Sequence, residues 1–110
     1  MSKVFMDDVR DSPTDHRLVR TAEECIYILS NESTLSHLSL DHDMGSDQSN
    51  GYAVVEYMIE HRIYADRITV HSANAPRGKK MYEALMDARH MGTFPLHVKI
   101  YHRPLPLYNH

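Results

Sequence analysis

The sequence predicts one α/β domain, a four-stranded parallel sheet with about three helices, spanning residues 1–110. Strand-type and helix-type hydrophobic patterns alternate from end to end, which requires parallel strands joined by right-handed crossovers. No repeat, low-complexity tract or long linker divides the chain. Three hydrophobic runs also end directly in reactive residues: Val4-Phe5-Met6 into Asp7-Asp8, Leu38-Ser39-Leu40 into Asp41-His42-Asp43, and Ile68-Thr69-Val70 into His71-Ser72-Ala73-Asn74. In open parallel sheets ligands sit beyond the carboxyl ends of the strands, so all three point to one site.

Lys3 to Met6 reads as the first strand, and Asp7 to Arg20, rich in turn formers and charges, as a loop. Thr21 caps the first helix, with Glu24 completing a capping box and Cys25, Ile26, Ile28 and Leu29 forming the buried stripe. The segment from Asn31 to Thr34 ends it. A second strand covers about Leu35 to Asp41, and a polar loop from Met44 to Asn50 leads to a helix with Val54, Val55, Met58 and Ile59 on one face. The third strand runs from Arg67 to Ser72. Pro76 opens the next helix, whose apolar face is Met81, Ala84, Leu85 and Ala88, and Gly92 with Pro95 closes it. Leu96 to His102 is the fourth strand, and residues 103–110 form a Pro-rich tail.

Strand parity separates the two faces of this sheet. Leu38, Leu40, Ile68, Val70, Val98 and Ile100 share one side; His37, Ser39, Thr69, Lys99 and Tyr101 share the other. If spatial order follows chain order, every crossover lies on the apolar side, which leaves a half-open polar face for the tail or a second subunit, in a homodimer, to cover.

The chain has 110 residues, a net charge of −3 and one cysteine, Cys25, placed on a core stripe. That charge gives no global footprint for duplex DNA, although local Arg and Lys clusters can hold a phosphate. No apolar run approaches the ~20 residues of a membrane span. Met1-Ser2-Lys3 begins no charged-then-apolar leader, so the expectation is a cytoplasmic protein. Of the nine histidines, His16, His61, His90 and His110 read as solvated or helix-end side chains, whereas His42 and His71 lie inside the reactive segments.

Asp7, Asp8, Asp41 and Asp43 brought together need a cation, since like charges at close range oppose joint ionisation. A divalent metal, Mg²⁺ or Mn²⁺, answers that need, with Asp41 the first choice of ligand and Asp43 the hardest to aim because of strand alternation. The plain alternative is that these acids cap loops and helices. His71 is placed to exchange a proton during phosphoester cleavage, to ligate a softer metal, or simply to bond a loop carbonyl. His42, between two acids, suits a cationic partner better than a base. Ser72 and Asn74 precede a helix N-terminus that suits an anion, and Arg77, Lys79 and Lys80 occupy its first turn, where cations are otherwise disfavoured. Arg10 and Arg20 are further candidates for phosphate contact. No Ser, His, acid triad is legible around Ser72.

The residues after the strands resemble those of two-component receiver domains: Asp7-Asp8, Asp41, Ser72-Ala73 and Arg103-Pro104, the last standing where those domains have Lys-Pro. A reduced relative of that fold, the cyclic-phosphate processing receiver domain, is more similar still. The resemblance rests on Asp7-Asp8-Val9-Arg10 with Pro13, Arg20-Thr21, Ser39-Leu40-Asp41-His42-Asp43-Met44-Gly45, Gly51-Tyr52, His71-Ser72-Ala73-Asn74 and Gly78. The chain departs from it at His16, where the family usually has an aromatic residue, and at Asn74-Ala75-Pro76, where it has Asn-Pro. The resemblance implies a receiver-like, flavodoxin-like fold in two or three layers. It also implies a metal-dependent phosphoesterase acting on a cyclic phosphate of an RNA end or small nucleotide, with Asp41, His71 and Ser72 catalytic. Two alternatives accompany it: a module that binds a phosphorylated ligand without turnover, and a receiver phosphorylated at Asp41.

Overall fold

The computed structural model of the chain describes residues 2–32, 35–43 and 50–104. In chain order the elements are β1 (Ser2–Met6), β2 (Arg17–Val19), α1 (Ala22–Asn31), β3 (Leu35–Leu40), α2 (Gly51–His61), β4 (Ala65–Val70), α3 (Ala75–His90) and β5 (Lys99–His102). The fold is the expected receiver-like α/β class, with one strand more than the four read from the sequence.

The additional strand is β2, which lies within the segment read as a loop. It has three residues, too few for a period-two pattern to register, and pairs in parallel with β1 as Val4↔Arg17, Phe5↔Leu18 and Met6↔Val19. The sheet order is β2-β1-β3-β4-β5. Spatial order therefore departs from chain order at the first two strands, and the chain reverses direction across the sheet between β1 and β3. That reversal is the switch point at which flavodoxin-like sheets place their ligands.

The same order explains why the sheet is covered on one side. The crossovers from β2 to β3, β3 to β4 and β4 to β5 all move in one direction, so right-handed connections put α1, α2 and α3 in one layer. The connection from β1 to β2, which would place a helix on the other face, is the loop of residues 7–16. α1 packs on α2 and α2 on α3. Between them and the sheet lies the core: Val4, Met6, Leu38, Leu40, Ile68, Val70 and Ile100 against Cys25, Leu29, Val55, Met58, Met81 and Leu85. Burial pushes the Cys25 thiol up to about 12, as befits a core residue. The opposite face carries Lys3, His37, Thr69 and Tyr101 half-buried and Arg67 and Lys99 exposed.

Local chemistry sets the helix starts. The Thr21 side chain accepts from Glu24 N at 3.0 Å, and Glu24 Oε1 accepts from Arg20 N at 3.2 Å, one residue ahead of the usual capping-box amide. Asn50 accepts from the amides of Tyr52 and Ala53, and Asn74 from Arg77 N. Arg62 ends α2 in the left-handed region at φ 56°. Among the described residues, no helix is long and apolar enough to cross a membrane.

Candidate functional site

Asp7 follows β1 and Asp41 follows β3, so the two carboxylates flank the switch point; His71 follows β4 alongside them. All three continue the parity of Phe5, Ser39 and Thr69, the open-face residues, rather than that of the core. Asp7 and Ser72 are 0 % exposed, His71 1 % and Asp41 4 %.

Asp7 organises its own loop. Oδ1 accepts from the backbone N–H of Val9 at 2.9 Å and of Arg10 at 2.8 Å, a turn that folds the Arg10 side chain back onto Oδ2 at 2.6 Å. His71 Nε2 reaches the same Oδ2 at 3.0 Å, and His71 Nδ1 lies 2.7 Å from Ser39 Oγ. Because a carboxylate only accepts, the proton of that imidazole–carboxylate bond belongs to Nε2, while the Ser39 hydroxyl can serve Nδ1 in either sense. Phe5 stacks on the His71 ring at 4.3 Å between centroids and 6° between planes, which fixes its orientation. The Arg10 guanidinium also lies 3.7 Å from Asp41 Oδ2. The result is a buried chain, Ser39, His71, Asp7, Arg10, Asp41.

The two carboxyls differ in character. Burial raises the Asp7 pKa, but bonds from His71, from the amides of Arg10 and Val9 and from the Arg10 side chain outweigh it and hold the group well below the usual carboxylate range. Asp41 is pushed upward, first by burial and then by the neighbouring Asp7 charge, against weaker opposing effects of His71, the His42 amide and Arg10. Asp7 is saturated; Asp41, with one short bond from His42 N at 2.8 Å, keeps acceptor capacity.

Two acids, not four, converge. Asp8 is half-buried and joins no described polar contact, and Asp43 is exposed, its carboxylate 2.7 Å from His42 Nδ1. Alternation turns Asp8 away from the face that Asp7 takes, whereas Asp43 has the parity of Asp41 and is drawn instead to His42 Nδ1. His42, on the opposite parity to Asp41, turns to the helix side with Asp43 as partner.

Ser72 and Asn74 lie apart from the cluster for the same reason. Ser72 Oγ accepts from Asn74 N at 3.1 Å, and Asn74 caps α3, so both build the β4–α3 turn. Arg77 and Lys79 are exposed on the first turn of α3; Arg77 and Lys80 line a groove of about 920 Å³ between α2 and α3 that also touches His42 and Asn50. Arg20 is committed to backbone, with Nη1 donating to Asp7 O at 3.2 Å and Arg10 O at 2.9 Å, which braces the loop holding Arg10. Arg103 stacks over the Tyr101 ring at 4.6 Å on the open face. Met44, Gly45 and residues 105–110, which include most of the Pro-rich tail and His110, lie outside the described residues.

Three residues were missed or misread from the sequence. Ser39 was read only as a polar-face residue, and its distance of 32 positions from His71 hides the contact. His16, read as solvated, has a side chain only 7 % exposed; it bridges Asp15 (2.8 Å) and His37 (2.7 Å) and meets Phe5 edge-on. His102 ends β5, as read; what the strand reading does not show is that its ring stacks on Tyr82 and that its Nε2 is buried with no hydrogen-bond partner among the described residues.

One ligand atom from each of Asp7, Asp41 and His71 lies within 4.8 Å of the other two, and among the described residues this is the cluster able to hold a metal ion. The two carboxylate oxygens fit a Mg²⁺ or Mn²⁺ ion, and the imidazole beside them, with Nδ1 at Ser39 and a proton on Nε2, presents a donor rather than a lone pair. Arg10 supplies the positive charge in the arrangement described, so binding an ion requires its guanidinium to yield Asp7 Oδ2.

Comparison with curated proteins and with solved structures returned no match. The family model of the cyclic-phosphate processing receiver domain matches residues 2–87, which takes in every strand end that builds the cluster. A match over most of the chain, together with a parallel sheet whose switch point carries Asp7 and Asp41, shows that the protein belongs to the cyclic-phosphate processing receiver domain family.

Proposed function

We propose that the domain is a metal-dependent phosphoesterase that opens or removes a cyclic phosphate on an RNA end or a small nucleotide. The observation that carries the reading is the convergence of Asp7, Asp41 and His71 within 4.8 Å at the switch point. A divalent ion there would supply polarisation of a phosphoryl oxygen and activation of water. Asp7 and Asp41 would hold the ion, Asp41 through the acceptor capacity that its carboxylate keeps. Arg10, beside both carboxylates, carries planar donors that would suit a phosphoryl oxygen. His71, oriented by Ser39 and Phe5, stands beside the ion rather than on it and would give its Nε2 proton to the leaving oxygen. Burial of all these groups excludes bulk water from competing for them.

A second reading has its own support. Asp7 is already saturated by Arg10, His71 and two amides, the pattern of a closed structural network, which favours a module that holds a phosphorylated ligand without turning it over.

The test is incubation of the purified protein with Mn²⁺ or Mg²⁺ and with 2′,3′-cyclic mononucleotides and cyclic dinucleotides, followed by chromatography. Product in the wild type, absent after chelation and in Asp41→Asn, supports the enzyme. Ligand bound but recovered intact favours the module. Substrates untouched, with Asp41→Asn binding them no differently, defeats both.

A further inference from the structure

The sheet's open face carries a charge pattern that the switch-point cluster does not use. The register places Lys3, His37, Arg67 and Lys99 side by side across β1, β3, β4 and β5. The next row on the same face is Phe5, Ser39, Thr69 and Tyr101, with Arg103 over the tyrosine ring. Beyond it, with unbroken parity, come Asp7, Asp41 and His71. The basic row lies four residues before the cluster, about 13 Å at the usual strand rise.

Lys3 is neutralised by Asp15 at 2.9 Å, and Asp66, the other acid beside the row among the described residues, meets His97 at 3.3 Å. Among the described residues no carboxylate pairs with Arg67, Lys99 or Arg103. Arg67 and Lys99 are direct register partners, and like charges directly opposite each other destabilise a sheet. The field of the row is felt by His37, whose pKa is lowered to about 4, first by burial and then by Arg67, His16 and Lys3. A chain with net charge −3 thus gathers, among the described residues, unpaired cations on the face that no helix covers, around a pocket of about 340 Å³ whose lining includes Lys3, His37, Arg67, Lys99 and Tyr101, with Asp66 as its one acid.

We propose that this face is a track for single-stranded RNA, whose phosphates lie along Arg67, Lys99 and Arg103 and whose cyclic-phosphate end reaches Asp41 and His71. Platforms for single strands combine a cationic track with aromatic or guanidinium planes on which bases stack, and Tyr101 with Arg103 supplies such a plane. A second copy of the chain fits less well, because a two-fold interface presents the same unpaired cations to each other. The identity of the end that arrives rests on the phosphoesterase reading; the track itself does not.

Fluorescence anisotropy with a labelled, unstructured oligoribonucleotide ending in a plain hydroxyl tests the track without the chemistry. In the wild type the affinity should fall steeply with salt. Arg67→Glu with Lys99→Glu should weaken binding by roughly tenfold or more and flatten the log–log salt slope by about 1.4, two contacts at ~0.7 each. The same charge change on the helix layer, Lys79→Glu with Lys80→Glu, should weaken it far less. The pair Arg67→Gln and Lys99→Gln serves if the glutamates disturb folding, judged by circular dichroism. The track is overturned if the wild type shows no salt-dependent affinity, if the face variant binds like the wild type, if the helix variant loses as much, or if sedimentation shows a dimer that the face variant dissociates. Cyclic mononucleotide turnover reads the cluster separately. RNA bound through the face without turnover keeps the track and removes the enzyme, and turnover without RNA binding does the reverse.

Discussion

Ser39 Oγ stands 2.7 Å from His71 Nδ1, and this bond, made between β3 and β4, settles which way the histidine presents its other nitrogen. Nε2 faces Asp7 because Nδ1 is held from behind, an arrangement in which a partner fixes tautomer and ring orientation.

Ser39→Ala should therefore cost about 1 kcal/mol in stability, the usual net worth of one hydrogen bond. On the proposed phosphoesterase reading its larger effect should be on turnover of a cyclic nucleotide, with kcat reduced and KM little changed, because the substrate would meet Nε2 and not the serine. Ser39→Thr, which keeps the hydroxyl, should restore part of kcat. Equal kcat for wild type and Ser39→Ala would show that His71 orientation does not limit the reaction.

Asp7 and Asp41 should respond in opposite senses to removal of their charge. Asp7→Asn should destabilise the metal-free protein by about 3 kcal/mol, since it removes the buried charge that both Arg10 and His71 meet. Asp41→Asn should raise Tm, because the folded state disfavours that carboxylate. The signs also govern pH. Asp7 has a depressed folded pKa, so its contribution is complete above the unfolded value near 3.8 and is lost as pH falls below it. Asp41 has a raised one, so its contribution belongs to acid pH and fades as pH rises through its folded value. Thermal unfolding of the two variants across acid pH checks both.

His37 predicts a second pH dependence at milder acidity. Its pKa is lowered from 6.5 to about 4, so the unfolded chain takes up a proton that the folded chain refuses. Stability should be full above about pH 6.5 and decline as pH falls from there toward 4, by at most ~1.4 kcal/mol per pH unit. His37→Gln should flatten that decline in urea titrations read at several pH values. An unchanged slope would place the titration elsewhere.

Gly51 should tolerate no side chain. A Cβ there would lie 1.9 Å from the carbonyl oxygen of Asp41, and the Gly51 amide donates to His42 O at 2.9 Å, so the start of α2 is pressed against the strand end that carries the site. Gly51→Ala should cost at least ~3 kcal/mol, at the upper end for overpacking, and should shift Asp41. Urea denaturation measures the loss, and Gly92→Ala, where a Cβ meets nothing but φ is +85°, provides a milder comparison.

The sequence by itself determined the class of the fold, since alternating strand and helix periods with Thr21, Asn50, Asn74 and Pro76 at the helix starts leave few topologies. It also determined that Asp7, Asp41 and His71 would meet, because each follows a parallel strand. Only the tertiary structure decided which neighbours joined them. Parity after a strand end turned Asp8 and Ser72 away while keeping Asp7 and His71, the His42 ring drew Asp43 aside, and the turn around Asp7 brought Arg10 into the space that four carboxylates had been expected to share. β2 was invisible for a related reason: three residues carry too little pattern, and their strand conformation is imposed by pairing with β1 rather than by their own propensity. Local periodicity is written in the chain, whereas the side on which a loop residue faces depends on the backbone path that long-range pairing selects.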